Sequence, residues 1–167
     1  MPYHFDLLCR ACQEPLNLMQ NELNIKCIEV VKIICDRQSV SPKQLTIQSK
    51  DDFIEIKIRH RINPERRITI STENEEILLG IEMGHLHFPE HEAQDNIPDL
   101  ISALSNTLDK YMSGYICSYA ANLNEKALGG GYTTHSCEID FLRNSFPKAN
   151  TFKVCRWNEN QIKKLSI

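Results

Sequence analysis

The sequence contains no Lys or Arg between Ile68 and Asp109, although 19 of its 167 residues are basic. The nine acidic residues of this segment give it a charge of −9, while the rest of the chain, with 19 basic and 13 acidic residues, carries +6. A surface of one sign attracts a partner of the opposite sign and repels one of the same sign. The segment therefore predicts binding of a basic protein or a metal ion and disfavours nucleic acid. A merely solvated acidic face is the alternative.

Long hydrophobic runs are also absent, since none approaches the roughly 20 residues that span a bilayer. The first 13 residues lack a basic region, and Asp6 interrupts their short apolar part, so we expect no signal peptide. The seven cysteines are odd in number and mostly lie among apolar residues, which favours buried, reduced thiols in the cytoplasm. Cys9-Arg-Ala-Cys12 is an isolated CxxC in a helical segment and is interpreted as structural, because a zinc ribbon needs a second pair.

Hydrophobic periodicity indicates one α+β domain over 1–167, with a helical part at 1–48 and a sheet-containing part at 50–165. Apolar residues recur every three or four positions from Leu16 to Ile34, as on one face of a helix. The period then changes to two, and we expect three antiparallel strands with short turns, the third running from Glu76 to Phe88.

A second helix is predicted from Ile97 to Met112, with Asp95 or Asn96 as its cap and Gly114 after its end. Later strands are expected at Tyr115–Ala121, after Gly131 and at Phe152–Trp157, with the three glycines 129–131 as a hairpin connection. The predicted fold is N-terminal helices plus an antiparallel β-sheet with one helix packed on a face.

The basic run Lys57–Arg67 has no interleaved aromatic residues on which nucleic-acid bases would stack. We expect it to pair across the sheet with carboxylates of the third strand, such as Glu82 or Glu76.

The densest group of titratable side chains is Gly84-His-Leu-His-Phe-Pro-Glu-His-Glu92, with three of the six histidines. On one strand, His85 and His87 would share a side with Ile77, Leu79 and Ile81. A third donor from His91, Glu90, Glu92 or Asp95 would complete a zinc site that activates water for hydrolysis.

Two features oppose a zinc hydrolase. The HxHxxxH spacing matches no established metal signature. No other polar cluster offers a general base or supporting carboxylates, and no nucleophile accompanies the histidines. The histidines would otherwise pack at a strand end. We therefore expect no cofactor and no catalytic residue, with a zinc-dependent hydrolase using His85, His87 and His91 as the alternative.

Several segments resemble small bacterial α+β proteins that include immunity proteins of contact-dependent inhibition and related polymorphic-toxin systems. The resemblance rests on Gly84-His85-Leu86-His87-Phe88, the helix 97–112, the glycines 129–131 and Val154-Cys155-Arg156-Trp157-Asn158. It covers roughly residues 50–165. The third histidine of the motif is displaced to His91, and Asn158 replaces the small residue that follows the tryptophan.

This resemblance implies a cytoplasmic immunity protein, not an enzyme, that binds and neutralises a cognate toxin, with a basic nuclease as the expected toxin. An acidic surface would speed its association with such a partner. A regulatory or scaffolding domain is a further alternative. The expected partner-binding residues are Glu75, Glu76, Glu82, Glu90, Glu92, Asp95, His85, His87, His91 and Trp157.

Overall fold

A computed structural model describes residues 8–89, 96–134 and 139–166, and for residues 8–17 and 19 it describes the backbone alone. The elements follow one another as α1 (Leu8–Arg37), a 3₁₀ turn (Pro42–Gln44), β1 (Leu45–Ser49), β2 (Ile54–Arg59), β3 (Arg67–Glu73), β4 (Glu76–Ile81), β5 (Gly84–Phe88), α2 (Ile97–Met112), β6 (Cys117–Leu123), β7 (Lys126–Thr133), α3 (Ile139–Ser145), β8 (Thr151–Arg156) and β9 (Lys163–Ser166). Helices and two antiparallel sheets confirm the predicted α+β class.

The first sheet is a five-stranded meander in the order β1-β2-β3-β4-β5. Alternation of apolar and polar residues drives it: Ile54, Ile56 and Ile58 are fully or almost fully buried, while Glu55 and Lys57 are on the other face. The two-residue turn Asn74-Glu75 joins β3 to β4 with both residues at positive φ, the geometry that matches the twist of a hairpin.

The predicted third strand is in fact two strands, which corrects the expected position of the histidines. A two-residue turn, Glu82-Met83, folds β5 back on β4 so that Leu78 pairs with His87. The turn changes the parity of the alternation, and Leu86 and Phe88 join Ile77 on the buried face. His85 and His87 therefore lie on the opposite, exposed face.

Two helices, rather than one, cover the buried face of this sheet. α1 packs on α2 and β3, and α2 also contacts β4 and β5. The bounds of α2 are those predicted, with Asn96 as the cap that accepts a hydrogen bond from the Asp99 amide. Leu23 and Ile34 of α1 meet Leu104 and Leu108 of α2 in the main core.

The second sheet, in the order β7-β6-β8-β9, has its own small core with Tyr119, Leu142 and Phe152. The glycines 129–131 are inside β7, and the hairpin turn is Asn124-Glu125, so the predicted hairpin connection was wrong. β1, α3 and β9 were not predicted. Because β1 begins at Leu45, the sheet starts within the part that was expected to be helical.

Candidate functional site

Four acidic residues surround a cavity at one end of the first sheet: Asp51, Asp52, Glu73 and Glu75. In an antiparallel meander, the β1–β2 and β3–β4 connections lie at the same end, which brings together residues more than 20 positions apart. The cavity measures about 670 Å³, and Gln20, Lys50, Phe53 and Asn74 complete its lining. We call Asp51, Asp52, Glu73 and Glu75 the acidic end.

Gln20 of α1 fixes the β3–β4 turn of the acidic end in place. Its side-chain oxygen accepts a hydrogen bond from the Glu75 amide at 2.8 Å, and its side-chain nitrogen donates to the Thr72 carbonyl at 3.1 Å. Asn24, one helical turn later, donates to the Asp52 carbonyl at 3.4 Å. Both acidic connections are therefore attached to the same helix, and Gln20 is only 8% exposed.

No ion pair involves these four carboxylates among the residues that the structure describes. Lys50 also lines the cavity, where its ammonium lies over the ring of Phe53 and 3.8 Å from a carboxylate oxygen of Glu55. One carboxylate oxygen of Glu75 is buried and has no hydrogen-bond partner within the described part of the chain. With four carboxylates and one ammonium, that of Lys50, the lining carries a net charge of −3 around a space that a cationic side chain can enter.

The exposed face next to the acidic end holds the histidine pair. The rings of His85 and His87 are in edge-to-face contact, with centroids 5.3 Å apart. His87 Nδ1 is 3.5 Å from an oxygen of Glu76, and both side chains are 54% exposed. Over residues 8–89, 96–134 and 139–166, no group of three metal-ligating side chains is found. His91, the third donor of the zinc alternative, lies outside the described residues.

Glu82 and Trp157, both expected at the partner surface, are interior residues. The Arg66 guanidinium donates to Glu82 at 2.9 Å, and the two side chains are 2% and 5% exposed. Of the basic run, Arg66 pairs with Glu82 as predicted, but in the interior, whereas Lys57 contacts Glu55 of its own strand at 3.0 Å. Burial raises the pKa of Glu82, and the positive charge of Arg66 opposes that rise. Trp157 is 8% exposed, so neither residue is available to a partner.

His60 is a structural histidine that the sequence did not single out. Its Nε2 is 2.9 Å from the Trp157 carbonyl, and its Nδ1 accepts hydrogen bonds from the amides of Ile62 and Asn63. These partners require a neutral ring with the proton on Nε2. Burial lowers the pKa of His60, and the nearby positive charge of Arg66 lowers it further.

The remaining predicted contact residues, Glu90, His91, Glu92 and Asp95, lie outside the described part of the chain. β5 ends at Phe88, paired with Ile77 one residue after Glu76, so the chain leaves the sheet at the acidic end. Sequence reasoning missed Asp51, Asp52, Glu73 and Gln20. Two consecutive aspartates at a turn before a strand were the available signal for the first two.

Cys27, Cys35 and Cys155 are buried free thiols, as expected for small hydrophobic residues. Burial raises the pKa of Cys27 to about 12 and that of Cys35 to about 11, which keeps both protonated and unreactive. Cys117, in contrast, takes part in a disulfide, which differs from the expectation of reduced thiols throughout.

Comparisons with protein-family models, with curated proteins and with solved structures each find no match to this chain. The fold itself places the chain among α+β proteins with two antiparallel sheets. None of its described helices is long and apolar enough to cross a membrane.

Proposed function

We propose that this protein is a non-enzymatic, cytoplasmic immunity protein that binds a basic toxin domain, in particular a nuclease, through the acidic end. One observation carries the proposal: four carboxylates surround a cavity of about 670 Å³, and no ion pair in the described residues neutralises them. A nuclease that binds the phosphate backbone presents Lys and Arg on its active surface. An acidic partner can occupy the same residues and exclude the nucleic acid.

The contact surface extends from the acidic end onto the exposed face of the first sheet. Glu76, His85 and His87 are on that face and are accessible. A specific interface of ordinary size covers about 800 Å² on each partner, more than one cavity offers. The contact set therefore keeps the predicted Glu75, Glu76, His85 and His87, and adds Asp51, Asp52 and Glu73. Glu90, His91, Glu92 and Asp95 remain predicted contacts.

The test uses as its probe any basic nuclease toxin domain that is found encoded beside the gene for this protein, with binding measured by calorimetry and protection measured by growth of a strain that expresses the toxin. We expect Asp52→Lys combined with Glu73→Lys to weaken binding about 100-fold and to abolish protection, because two attractive charges become repulsive. Both residues are exposed, so the fold should not change.

The control is Glu125→Lys combined with Asp140→Lys, which changes the net charge equally at the β6–β7 turn and on α3, both exposed. It should bind within about threefold of wild type at moderate salt, where distant charges are screened. If both double variants bind like wild type, the acidic end is not the site. If both weaken equally, only net charge matters.

A further inference from the structure

The longest helix carries large aliphatic side chains on its solvent side. Leu18, Ile25 and Ile33 of α1 are 71%, 49% and 57% exposed. Their spacings of seven and eight residues keep them on one side of the helix, away from the core residues Leu23, Cys27 and Ile34. A row of exposed aliphatic residues on one element is a feature of protein contact surfaces.

A groove between α1 and α2 adjoins this row. Its cavity measures about 680 Å³, with Val30 on one wall and Ile97, Pro98 and Ile101 on the other. One end is crossed by an ion pair between Arg37 and Asp109, whose nitrogen and oxygen are 3.3 Å apart. An exposed apolar seam that is bordered by charged side chains is typical of a surface that contacts another protein.

The charged side chains along this face of α1 indicate which kind of partner would cover the groove. Glu22, Lys26, Glu29, Lys32 and Asp36 are all exposed and alternate in sign, so together they carry a net charge of only −1. The face therefore offers nothing particular to the strongly basic partner proposed for the acidic end. A surface that alternates in sign is instead complementary to an antiparallel copy of itself.

We propose that this face is a homodimer interface, in which α1 packs antiparallel against α1 of a second copy and the aliphatic side chains close over the groove. A twofold axis between residues 27 and 28 sets Lys26 of each copy opposite Glu29 of the other. Two neighbouring helices the length of α2 present roughly 500 Å² of projected face, before the added area of side chains and groove walls. This approaches the roughly 800 Å² per partner of an ordinary specific interface.

Sedimentation velocity of the full chain over a range of protein concentrations tests the dimer. We expect wild type to dimerise at micromolar concentrations. Ile25→Asp combined with Ile33→Asp should raise the dissociation constant at least 100-fold, because each copy would place two charges in an apolar seam. The control is Ile62→Asp, which adds a charge at a similarly exposed isoleucine, 54% exposed, on the β2–β3 connection. It should leave the dimer unchanged.

Exchanging the charges of Lys26 and Glu29 distinguishes the proposed antiparallel packing from a non-specific apolar contact. Lys26→Glu alone should weaken the dimer, and adding Glu29→Lys should restore it, since the double variant recreates the opposite-sign pair in the second copy.

A wild type that stays monomeric to about 1 mM overturns the proposal. So does a dimer that Ile62→Asp disrupts as strongly as the α1 variants. If wild type is monomeric and the α1 variants instead lose toxin binding, the groove belongs to that partner. The Asp52/Glu73 variant should keep its dimer, so the two proposals fail separately.

Discussion

Arg66 joins the first sheet to the C-terminal part of the second. Besides Glu82, its guanidinium donates to the carbonyls of Arg156, at 2.8 Å, and Glu159, and it lies over the Trp157 ring. A buried charge with this many partners contributes little net stability, but removing one partner leaves the others unpaired in a low-dielectric interior. Removing an arginine from an exposed position on a strand would cost far less.

Arg66→Met should lower the free energy of unfolding by about 3–5 kcal/mol, because the Glu82 carboxylate and two carbonyls lose their donor. Urea denaturation at pH 7 measures it. Lys163→Met is the matched control, since it removes an ion pair with Glu159 whose side chains are 61% and 29% exposed, and it should reduce the free energy of unfolding by less than about 1 kcal/mol. Similar losses in both variants would mean that Arg66 has no special role.

At the scale of elements, β7 approaches both β6 and the β4–β5 hairpin through its glycines. A Cβ on Gly130 would be 2.6 Å from the Tyr119 carbonyl oxygen and 3.1 Å from the Met83 carbonyl oxygen. Both contacts are with backbone, which cannot rotate away as a side chain can. The three glycines are therefore a place where two sheets meet closely, and not a flexible connection.

Gly130→Ala should lower the free energy of unfolding by about 1–3 kcal/mol, as other insertions of a methyl group into filled space do. Gly84→Ala on the facing strand is the control, because its Cβ would meet Gly131 atoms at 3.6 Å, an ordinary contact distance. That variant should be neutral or slightly stabilising. Thermal unfolding of the two variants side by side decides the matter, and equal melting temperatures would contradict the steric explanation.

At the scale of the whole molecule, the meander separates charge along the strand direction. The acidic end lies at one end of the first sheet. Arg59 and Arg67, which pair across strands, lie towards the other end. Only Glu73 and Glu75 of the acidic end come from the −9 segment, while Asp51 and Asp52 come from the remainder of the chain, so strand pairing and not the order of charges along the chain creates this separation.

The pH dependence of the whole molecule's stability should contain a contribution from His60. Its pKa is lowered in the fold, so the unfolded chain binds the proton more readily. The stabilisation by neutral His60 is therefore complete above pH 6.5 and declines as the pH falls through the lowered pKa. Glu82 acts in the opposite direction, since its pKa is raised and its burial as a carboxylate becomes less favourable as the pH rises above 4.5.

The difference between wild type and His60→Gln isolates the histidine. The variant should be less stable at pH 7, because glutamine cannot reproduce all of the hydrogen bonds of His60. From pH 7 to pH 5.5, however, it should lose less of its free energy of unfolding than wild type does. Urea denaturation at the two pH values measures both quantities. Parallel losses would show that His60 does not titrate in this window.

Local pattern was sufficient for much of the fold. Asn96, Pro98 and Gly114 mark the ends of α2, and the alternation of isoleucines marks β2. The prediction of one continuous strand from Glu76 to Phe88 was wrong, because the turn Glu82-Met83 contains no glycine or asparagine, the usual sign of a hairpin. Without that sign, an unbroken alternation was the simpler interpretation. A two-residue turn reverses which face the following side chains occupy, so this one error moved both histidines.

The sequence by itself determined the α+β class, the charge asymmetry and the isoleucine-rich core, because composition and periodicity are properties of neighbouring residues. Only the tertiary structure decided that Asp51 and Asp52 join Glu73 and Glu75, and that Glu82 and Trp157 are buried. These depend on which strands pair and which turns share an end of the sheet. Contacts between residues far apart in the chain follow from pairing and register, and no local pattern encodes them.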